Sequence, residues 1–217
     1  MVNNLIKSRI IIIAGHYGSG KTNIAVNLAE AVAADGKRVC IVDLDIVNPY
    51  FRSADNVKEL STLGVRTIIP EFANTNVDIP SLPKEYYSIF ITDEYSIVDV
   101  GGDADGAVAL SADYDKYQKS GYIMYYVFNC YRPMTATPES ALELLRQIEN
   151  TSHLTFSGII NNSNLGTETT AALVEASFGK ADRLSEISGL PVVATTALDT
   201  LDVLNTVPIK NRTKQLF

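Results

Sequence analysis

One stretch of the sequence decides the fold, and it reads Gly15-His16-Tyr17-Gly18-Ser19-Gly20-Lys21-Thr22. It matches in full the pattern G-x-x-x-x-G-K-[ST], a loop whose backbone N–H groups cradle the phosphates of a nucleotide. Such a loop joins a buried strand to a helix. The flanks fit, because residues 9–14 are rich in isoleucine and residues 21–34 carry an apolar stripe at helical spacing. All eight residues are therefore candidate nucleotide-binding residues.

The chemistry of this loop is mainly that of its backbone. Gly15, Gly18 and Gly20 can adopt positive φ angles, so that successive N–H groups form a concave nest around a β-phosphate. The helix that begins near Lys21 adds the positive end of its dipole. We expect Lys21 to lie between the β- and γ-phosphates as a catalytic cation, and the hydroxyl of Thr22 to bind Mg²⁺.

Length and composition indicate a single α/β domain over residues 1–217, because 46% of the 217 residues are hydrophobic and 20% are charged. The net charge of −7 argues against a general nucleic-acid or anionic-membrane surface. Cys40 and Cys130 are far apart in sequence and form no C-x-x-C pair, which suggests a reducing compartment and no cysteine-built metal site. Neither a secretory leader nor a membrane-spanning run is visible, so we expect a cytoplasmic protein.

Strands and helices alternate along the rest of the chain. This order predicts a mostly parallel central sheet with helices on both faces, a three-layer α/β sandwich of the P-loop NTPase type whose ligand lies at the carboxyl ends of the strands. A helix is expected to end near residue 63, and further helical segments within 104–119, 138–150, 167–178 and 181–188. Beyond the first strand, we expect strands at 39–42, 65–69, 96–99, 122–129, 156–160 and 191–194.

Three aspartates follow buried strands and would lie at this ligand edge. Asp43 and Asp45 come directly after the second strand, and Asp99 ends a later strand before Gly101 and Gly102. A carboxylate in such a position can hold a Mg²⁺-bound water, and glycines just beyond it allow a loop to swing toward a γ-phosphate. We take Asp43 and Asp99 as candidate metal residues.

Three further segments carry weaker signals. The irregular stretch 70–84 reads as a plain insertion more readily than as a functional loop. Arg132, after an aromatic-rich strand, is more readily a solvated arginine than a phosphate ligand. The end of the chain, 209–217, is short and follows Pro208, which favours a frayed tail over a membrane-binding helix.

Four motifs in this order and spacing resemble one known group, the MinD/ParA-type ATPases of the CobQ/CobB/MinD/ParA nucleotide-binding domain family. The group includes the nitrogenase iron protein and the nickel-insertion ATPases that mature carbon monoxide dehydrogenase. The motifs lie at 15–22, 43–45, 99–102 and 158–162, and the resemblance covers most of the chain. It implies ATP and Mg²⁺ as cofactors, ATP and ADP as bound ligands, a homodimer whose formation depends on nucleotide, and a client protein that the sequence does not identify.

The resemblance also implies individual roles. Lys21 and Thr22 would bind phosphate and Mg²⁺, Asp45 would orient the attacking water as a catalytic residue, and Asp43 would support the metal. Asn162 would read the adenine edge, with the choice between it and the preceding asparagine left open.

The chain departs from the family pattern in two places. His16 stands where members carry a signature lysine that reaches the nucleotide of the partner subunit, and Tyr17 replaces the glycine after it. Histidine is mostly neutral near neutral pH, so His16 as a weaker substitute, Tyr17 as a phosphate cover and simple loop packing all stay open. Val100 stands where the iron protein has a cysteine, which does not support an iron–sulfur cluster.

Three functional hypotheses follow from these residues. The leading one is a slow Mg²⁺-dependent ATPase that acts as a nucleotide switch, in maturation of a metalloenzyme or in positioning of a partner. The alternative is an ATP-dependent small-molecule kinase or ligase similar to dethiobiotin synthetase, a family that also lacks the signature lysine. The third is a nucleotide sensor with negligible turnover.

Overall fold

A parallel β-sheet forms the centre of the computed structural model, which describes residues 2–44, 54–69, 83–102 and 104–212. The strands are β1 (Ile10–Ala14), β2 (Val39–Leu44), β3 (Val65–Ile68), β4 (Tyr95–Val100), β5 (Ile123–Phe128), β6 (Gly158–Asn161), β7 (Val192–Leu198) and β8 (Val207–Ile209). The α-helices in these ranges are α1 (Lys21–Ala34), α2 (Ala54–Thr62), α3 (Ala104–Ser111), α4 (Tyr114–Ser120), α5 (Pro138–Ser152), α6 (Ala171–Ala176) and α7 (Phe178–Ser188).

The strands lie in the order β3-β2-β4-β1-β5-β6-β7-β8, and every pairing between them is parallel. Parallel strands need crossover connections, and here helices provide most of them and cover both faces of the sheet. Helix α1 packs one of its sides on one face, and α5 and α7 pack on the other. The predicted α/β fold of the P-loop NTPase type, with three layers and a parallel sheet, is therefore confirmed.

Alternation along each strand divides the core into two clusters. In β1, Ile11 and Ile13 point toward α1, whereas Ile10 and Ile12 point toward the opposite helices. All five residues of β1 are buried, because the strand has a neighbour on each side and helices above and below. The loop that follows β1 therefore starts from a rigid position in the middle of the sheet.

Several boundaries differ from the sequence-based expectation. The expected helical segment 104–119 contains two helices, since the chain turns at Ala112 and Asp113 before α4 begins. Helix α6 begins at Ala171 rather than near residue 167, because the hydroxyl of Thr170 caps it by accepting a hydrogen bond from the N–H of Leu173. Strand β8 was not expected, since Pro208 within it is a residue that strands tolerate mainly at sheet edges, which is where β8 lies.

The expectation of a frayed tail is wrong for the part of it that the structure describes. The backbone of Lys210 exchanges two hydrogen bonds with the side chain of Asn27 on α1, at 2.8 and 2.9 Å. The N–H of Arg212 donates to the side chain of Asn23 at 2.8 Å, and the guanidinium of Arg212 pairs with Glu30. Side-chain amides on α1 thus form the hydrogen bonds to the backbone of the terminal segment that a neighbouring strand would otherwise form.

Some predicted features lie outside the described residues, namely Asp45, most of the 70–84 stretch and the tail beyond residue 212. No helix in the described ranges is long and apolar enough to cross a membrane.

Candidate functional site

The loop between β1 and α1 has the backbone geometry that the motif requires. Gly18 and Gly20 adopt φ angles of +72° and +89°, in the left-handed region that side chains with a Cβ rarely occupy. Gly20 is also the N-cap of α1, so the free N–H groups of the helix open toward the loop. Gly15 packs against the backbone of Val127 on the neighbouring strand β5, where a Cβ would not fit.

Two side chains donate hydrogen bonds to consecutive backbone carbonyl groups of the loop. The Nε–H of Arg132, just after β5, donates to the carbonyl of Gly18 at 2.8 Å. The side-chain amide of Asn162, just after β6, donates to the carbonyl of Ser19 at 2.8 Å and accepts a hydrogen bond from the hydroxyl of Thr196 at 2.7 Å. The loop is thus tied to the ends of two neighbouring strands, and Thr196 on β7 orients the second of the two side chains.

Lys21 and His16 occupy the mouth of the loop. Lys21 is 5% exposed, and its ammonium donates to the carbonyl of His16 at 3.2 Å. The Nδ1 atom of His16 lies 2.8 Å from the carbonyl of Tyr17, a contact in which only a protonated nitrogen can donate. Burial lowers the pKa of His16, the hydrogen bond to Tyr17 opposes this, and the charges of Lys21 and Arg132 lower it further. The lowered pKa favours the neutral form of His16, unlike the lysine it replaces.

The hydroxyl of Thr22 meets a carboxylate beside the loop, and a second aspartate lies at the same level on the neighbouring strand. The hydroxyl of Thr22 donates to a carboxylate oxygen of Asp99 at 2.6 Å. Asp99 is the register partner of Asp43 on the neighbouring strand β2, and both side chains are buried. Hydroxyl and carboxylate oxygens are the hard ligands that Mg²⁺ prefers, usually together with substrate phosphates and water. The residues present fit a magnesium site next to the phosphate loop, with Thr22 and the two aspartates as the groups that would hold it.

The segment after β4 lies directly on the phosphate loop. A Cβ built at Gly102 would meet the Cα of Tyr17 at 2.6 Å and further backbone atoms of the same loop, so only glycine fits there. Gly101 continues the pairing of β4 with β2, since its N–H lies 3.4 Å from the carbonyl of Leu44. The backbone that leaves Asp99 is therefore in contact with the loop that would hold the nucleotide. Tyr17 itself is about half exposed.

The structure brings together all the described candidate residues at the carboxyl ends of β1, β2, β4 and β6. Of the two adjacent asparagines, Asn162 contacts the loop, whereas the amide of Asn161 donates to Ser177 at 2.8 Å and its oxygen accepts from Ser163. Sequence reasoning missed Thr196, which orients Asn162, and gave Arg132 a solvated role. Neither residue belongs to a local motif, and no signal within the chain could have placed them at the loop.

A family profile described as the CobQ/CobB/MinD/ParA nucleotide binding domain matches residues 10–177. The chain belongs to this family. The match runs from β1 through the phosphate loop to the end of α6, so it includes every described residue of the candidate site up to Asn162. No curated protein matches the chain significantly.

Solved structures are similar to the chain at low sequence identity. The signal recognition particle receptor FtsY from Elizabethkingia anophelis, in complex with GDP, is 16% identical with a TM-score of 0.52, over 95% of this chain and 62% of FtsY. A nucleotide-binding protein from Archaeoglobus fulgidus, in complex with ADP, is 14% identical with a TM-score of 0.49, over 92% and 86% of the two chains. By family and by fold, the chain is a P-loop nucleotide-binding domain of the CobQ/CobB/MinD/ParA type.

Proposed function

We propose that this domain is a Mg²⁺-dependent ATPase that acts as a nucleotide switch. The observation that supports it best is the contact between Thr22 and Asp99, which joins the phosphate loop to the end of β4 at the position where Mg²⁺ would be held. The buried Asp43 beside this pair adds a second carboxylate. The proximity of these groups supports a site in which nucleotide and metal bind side by side.

Hydrolysis would use the chain's own groups in three ways. The N–H groups of the loop and of the first turn of α1 would hold the phosphates, and Lys21 would leave the carbonyl of His16 to neutralise charge that develops on the γ-phosphate. Asp45 would orient the attacking water, as the family resemblance implies. Bound Mg²⁺ supplies further positive charge next to the phosphate oxygens.

The switch would operate through the segment after β4. Gly102 already touches the backbone of the phosphate loop, so a γ-phosphate at that loop would require Gly102 to move or to donate its N–H to the phosphate. Either response differs between ATP and ADP, which is the differential interaction that a nucleotide switch needs. A homodimer that closes around ATP would use this difference, and so would a client protein in metalloenzyme maturation or partner positioning.

Two substitutions test nucleotide binding and hydrolysis. Lys21→Ala removes a charged donor to phosphate, a change that costs about 1.5–3 kcal/mol, and we expect ATP–Mg²⁺ affinity to fall roughly 10- to 150-fold in calorimetric titration. Lys119→Ala, at an exposed lysine of α4, is the matched control. Asp99→Asn should lower the rate of phosphate release more than it lowers ATP affinity in the absence of Mg²⁺. Unchanged ATP affinity of Lys21→Ala would remove the phosphate-loop assignment.

Nucleotide-dependent dimerisation is tested by measuring the molar mass of the protein in solution. Light scattering after size exclusion should find a larger species of the Asp45→Ala variant with ATP–Mg²⁺ than with ADP or without nucleotide, since slowed hydrolysis preserves the ATP state. The same mass in all three states would argue against a switch based on dimerisation.

One observation favours the second candidate, a small-molecule kinase or ligase. The pKa of His16 is lowered and its ring contacts the carbonyl of Tyr17 in the loop itself, so it lacks the fixed charge with which a signature lysine reaches a partner's nucleotide. Without that charge, activation by a partner subunit has no support from His16. A kinase or ligase, in which an acceptor substrate enters the nucleotide site, does not need such activation. Constant mass together with ATP turnover that rises on addition of a hydroxyl- or carboxylate-bearing acceptor would favour this candidate over the switch.

A further inference from the structure

The outer side of the phosphate loop carries two clamps. Arg132 binds the carbonyl of Gly18, and Asn162 binds the carbonyl of Ser19, each at 2.8 Å. These carbonyls belong to consecutive peptide groups, and the two clamping side chains come from different strand ends. Both are therefore aimed at the same short piece of backbone.

Peptide planarity converts these contacts into an orientation of the N–H groups. In a trans peptide the C=O and N–H bonds point in opposite directions. When Arg132 holds the carbonyl of Gly18 on one side, the N–H of Ser19 must face the other side, and it does so, donating to the carbonyl of His16 across the loop at 3.1 Å. The clamp by Asn162 turns the N–H of Gly20 inward in the same way. The Ser19 N–H thus closes the loop onto His16, and the Gly20 N–H is one that the nest would offer to a β-phosphate.

The charge of Arg132 is not neutralised within the described part of the chain. No carboxylate there pairs with it, and only its Nε–H and not its terminal Nη groups makes a side-chain hydrogen bond. The side chain of Arg132 also packs against Gly18, since a Cβ at that residue would lie 3.3 Å from Nε and 3.6 Å from Cδ and Cζ. In a chain of net charge −7, this leaves a fixed positive charge beside the loop in addition to Lys21.

We propose that Arg132 is a positioning residue for the β-phosphate, acting through the Gly18–Ser19 peptide that it clamps and through its unpaired charge. The proposal rests on the proposed nucleotide binding but not on hydrolysis. Arg132 is not part of the phosphate-loop motif, and it lies more than 100 positions after the loop in the sequence.

The test compares nucleotides with and without a β-phosphate, the group that Arg132 is proposed to position. Dissociation constants of AMP, ADP and ATP are measured with Mg²⁺ by calorimetry for the full chain and for Arg132→Met, with Arg183→Met as the matched control. Arg183 lies on α7, where it pairs with Glu186. Melting temperatures without nucleotide are recorded for each variant.

We expect Arg132→Met to weaken ADP and ATP about tenfold and AMP by less than about twofold, because AMP has no β-phosphate. Arg132→Lys should recover most of the affinity, since lysine keeps the charge and can donate to the carbonyl of Gly18. Should the methionine variant fail to fold, Arg132→Gln tests the charge alone, because the glutamine amide can still donate to the carbonyl of Gly18; ADP and ATP should again lose more affinity than AMP.

Two results would overturn the proposal. One is unchanged ADP affinity, and the other is an equal loss for AMP, ADP and ATP, which would mean that Arg132 contacts the nucleoside or only supports the fold. Hydrolysis is read separately. A wild-type chain that binds ADP and ATP without releasing phosphate would defeat the proposed ATPase and leave the role of Arg132 testable by binding alone.

Discussion

The substitution Asn162→Asp tests whether Asn162 stabilises the phosphate loop. The family resemblance implies only that this residue reads the adenine base. The side chain is 4% exposed, and its two ends have opposite partners. Its Nδ2 donates to the carbonyl of Ser19, and its Oδ1 accepts from Thr196. Aspartate keeps the shape and the acceptor for Thr196 but places an oxygen 2.8 Å from the carbonyl oxygen of Ser19.

The size of the effect follows from these contacts. Loss of the amide donor leaves the carbonyl of Ser19 without its partner, which costs about 1–3 kcal/mol, and repulsion between the two oxygens adds to it. We therefore expect the free energy of unfolding to fall by about 2–4 kcal/mol at neutral pH. For a domain of 217 residues, 1 kcal/mol corresponds to roughly 2–4 °C, so the melting temperature should fall by about 5–15 °C.

The pH dependence separates this mechanism from a simple loss of packing. Burial beside a carbonyl raises the pKa of the new carboxyl group above its unfolded value of about 3.9. When protonated, the carboxyl group can donate to Ser19 again. The destabilisation should therefore be small below about pH 4 and should grow as the pH rises through the folded-state pKa.

Urea unfolding followed by circular dichroism measures this effect between about pH 4 and pH 8, relative to the wild type at each pH. Asn162→Leu is the matched control, because it removes both hydrogen bonds without adding a titratable group, and its cost should not vary with pH. Equal and pH-independent costs for the two variants would refute the reasoning, as would an unchanged urea midpoint for Asn162→Asp.

Three other predictions concern the loop and the terminal segment. Gly102→Ala places a methyl group against the backbone of the phosphate loop and should lower phosphate release, whereas Gly179→Ala, which has open space, should leave it unchanged. The pKa of His16, followed by NMR titration, should lie below about 6.5, because burial and neighbouring cationic side chains disfavour the imidazolium; a higher value would contradict the described loop geometry. Asn27→Leu removes both hydrogen bonds to the backbone of Lys210, and trypsin should then cleave after Lys210 sooner, as mass spectrometry would detect.

The sequence by itself determined the fold class and the position of the nucleotide site. A run of isoleucines, a glycine-rich loop ending in Gly20-Lys21-Thr22 and an alanine-rich helix are consecutive in the chain, so local patterns suffice to predict them. The alternation of strands and helices then requires a parallel sheet, and a parallel sheet brings the residues after its strands to one edge. Asp43 and Asp99 could be assigned to that edge in this way.

Only the tertiary structure decided which side chains hold the loop and what the end of the chain does. Arg132 and Asn162 meet the loop, and Thr196 orients Asn162, because β1 lies beside β5, followed by β6 and β7. The sequence does not reveal this strand order. Their contacts join an amide or guanidinium to a backbone carbonyl, and every residue has a carbonyl, so no pairing pattern appears in the sequence. The binding of the terminal segment by Asn27 is hidden for the same reason.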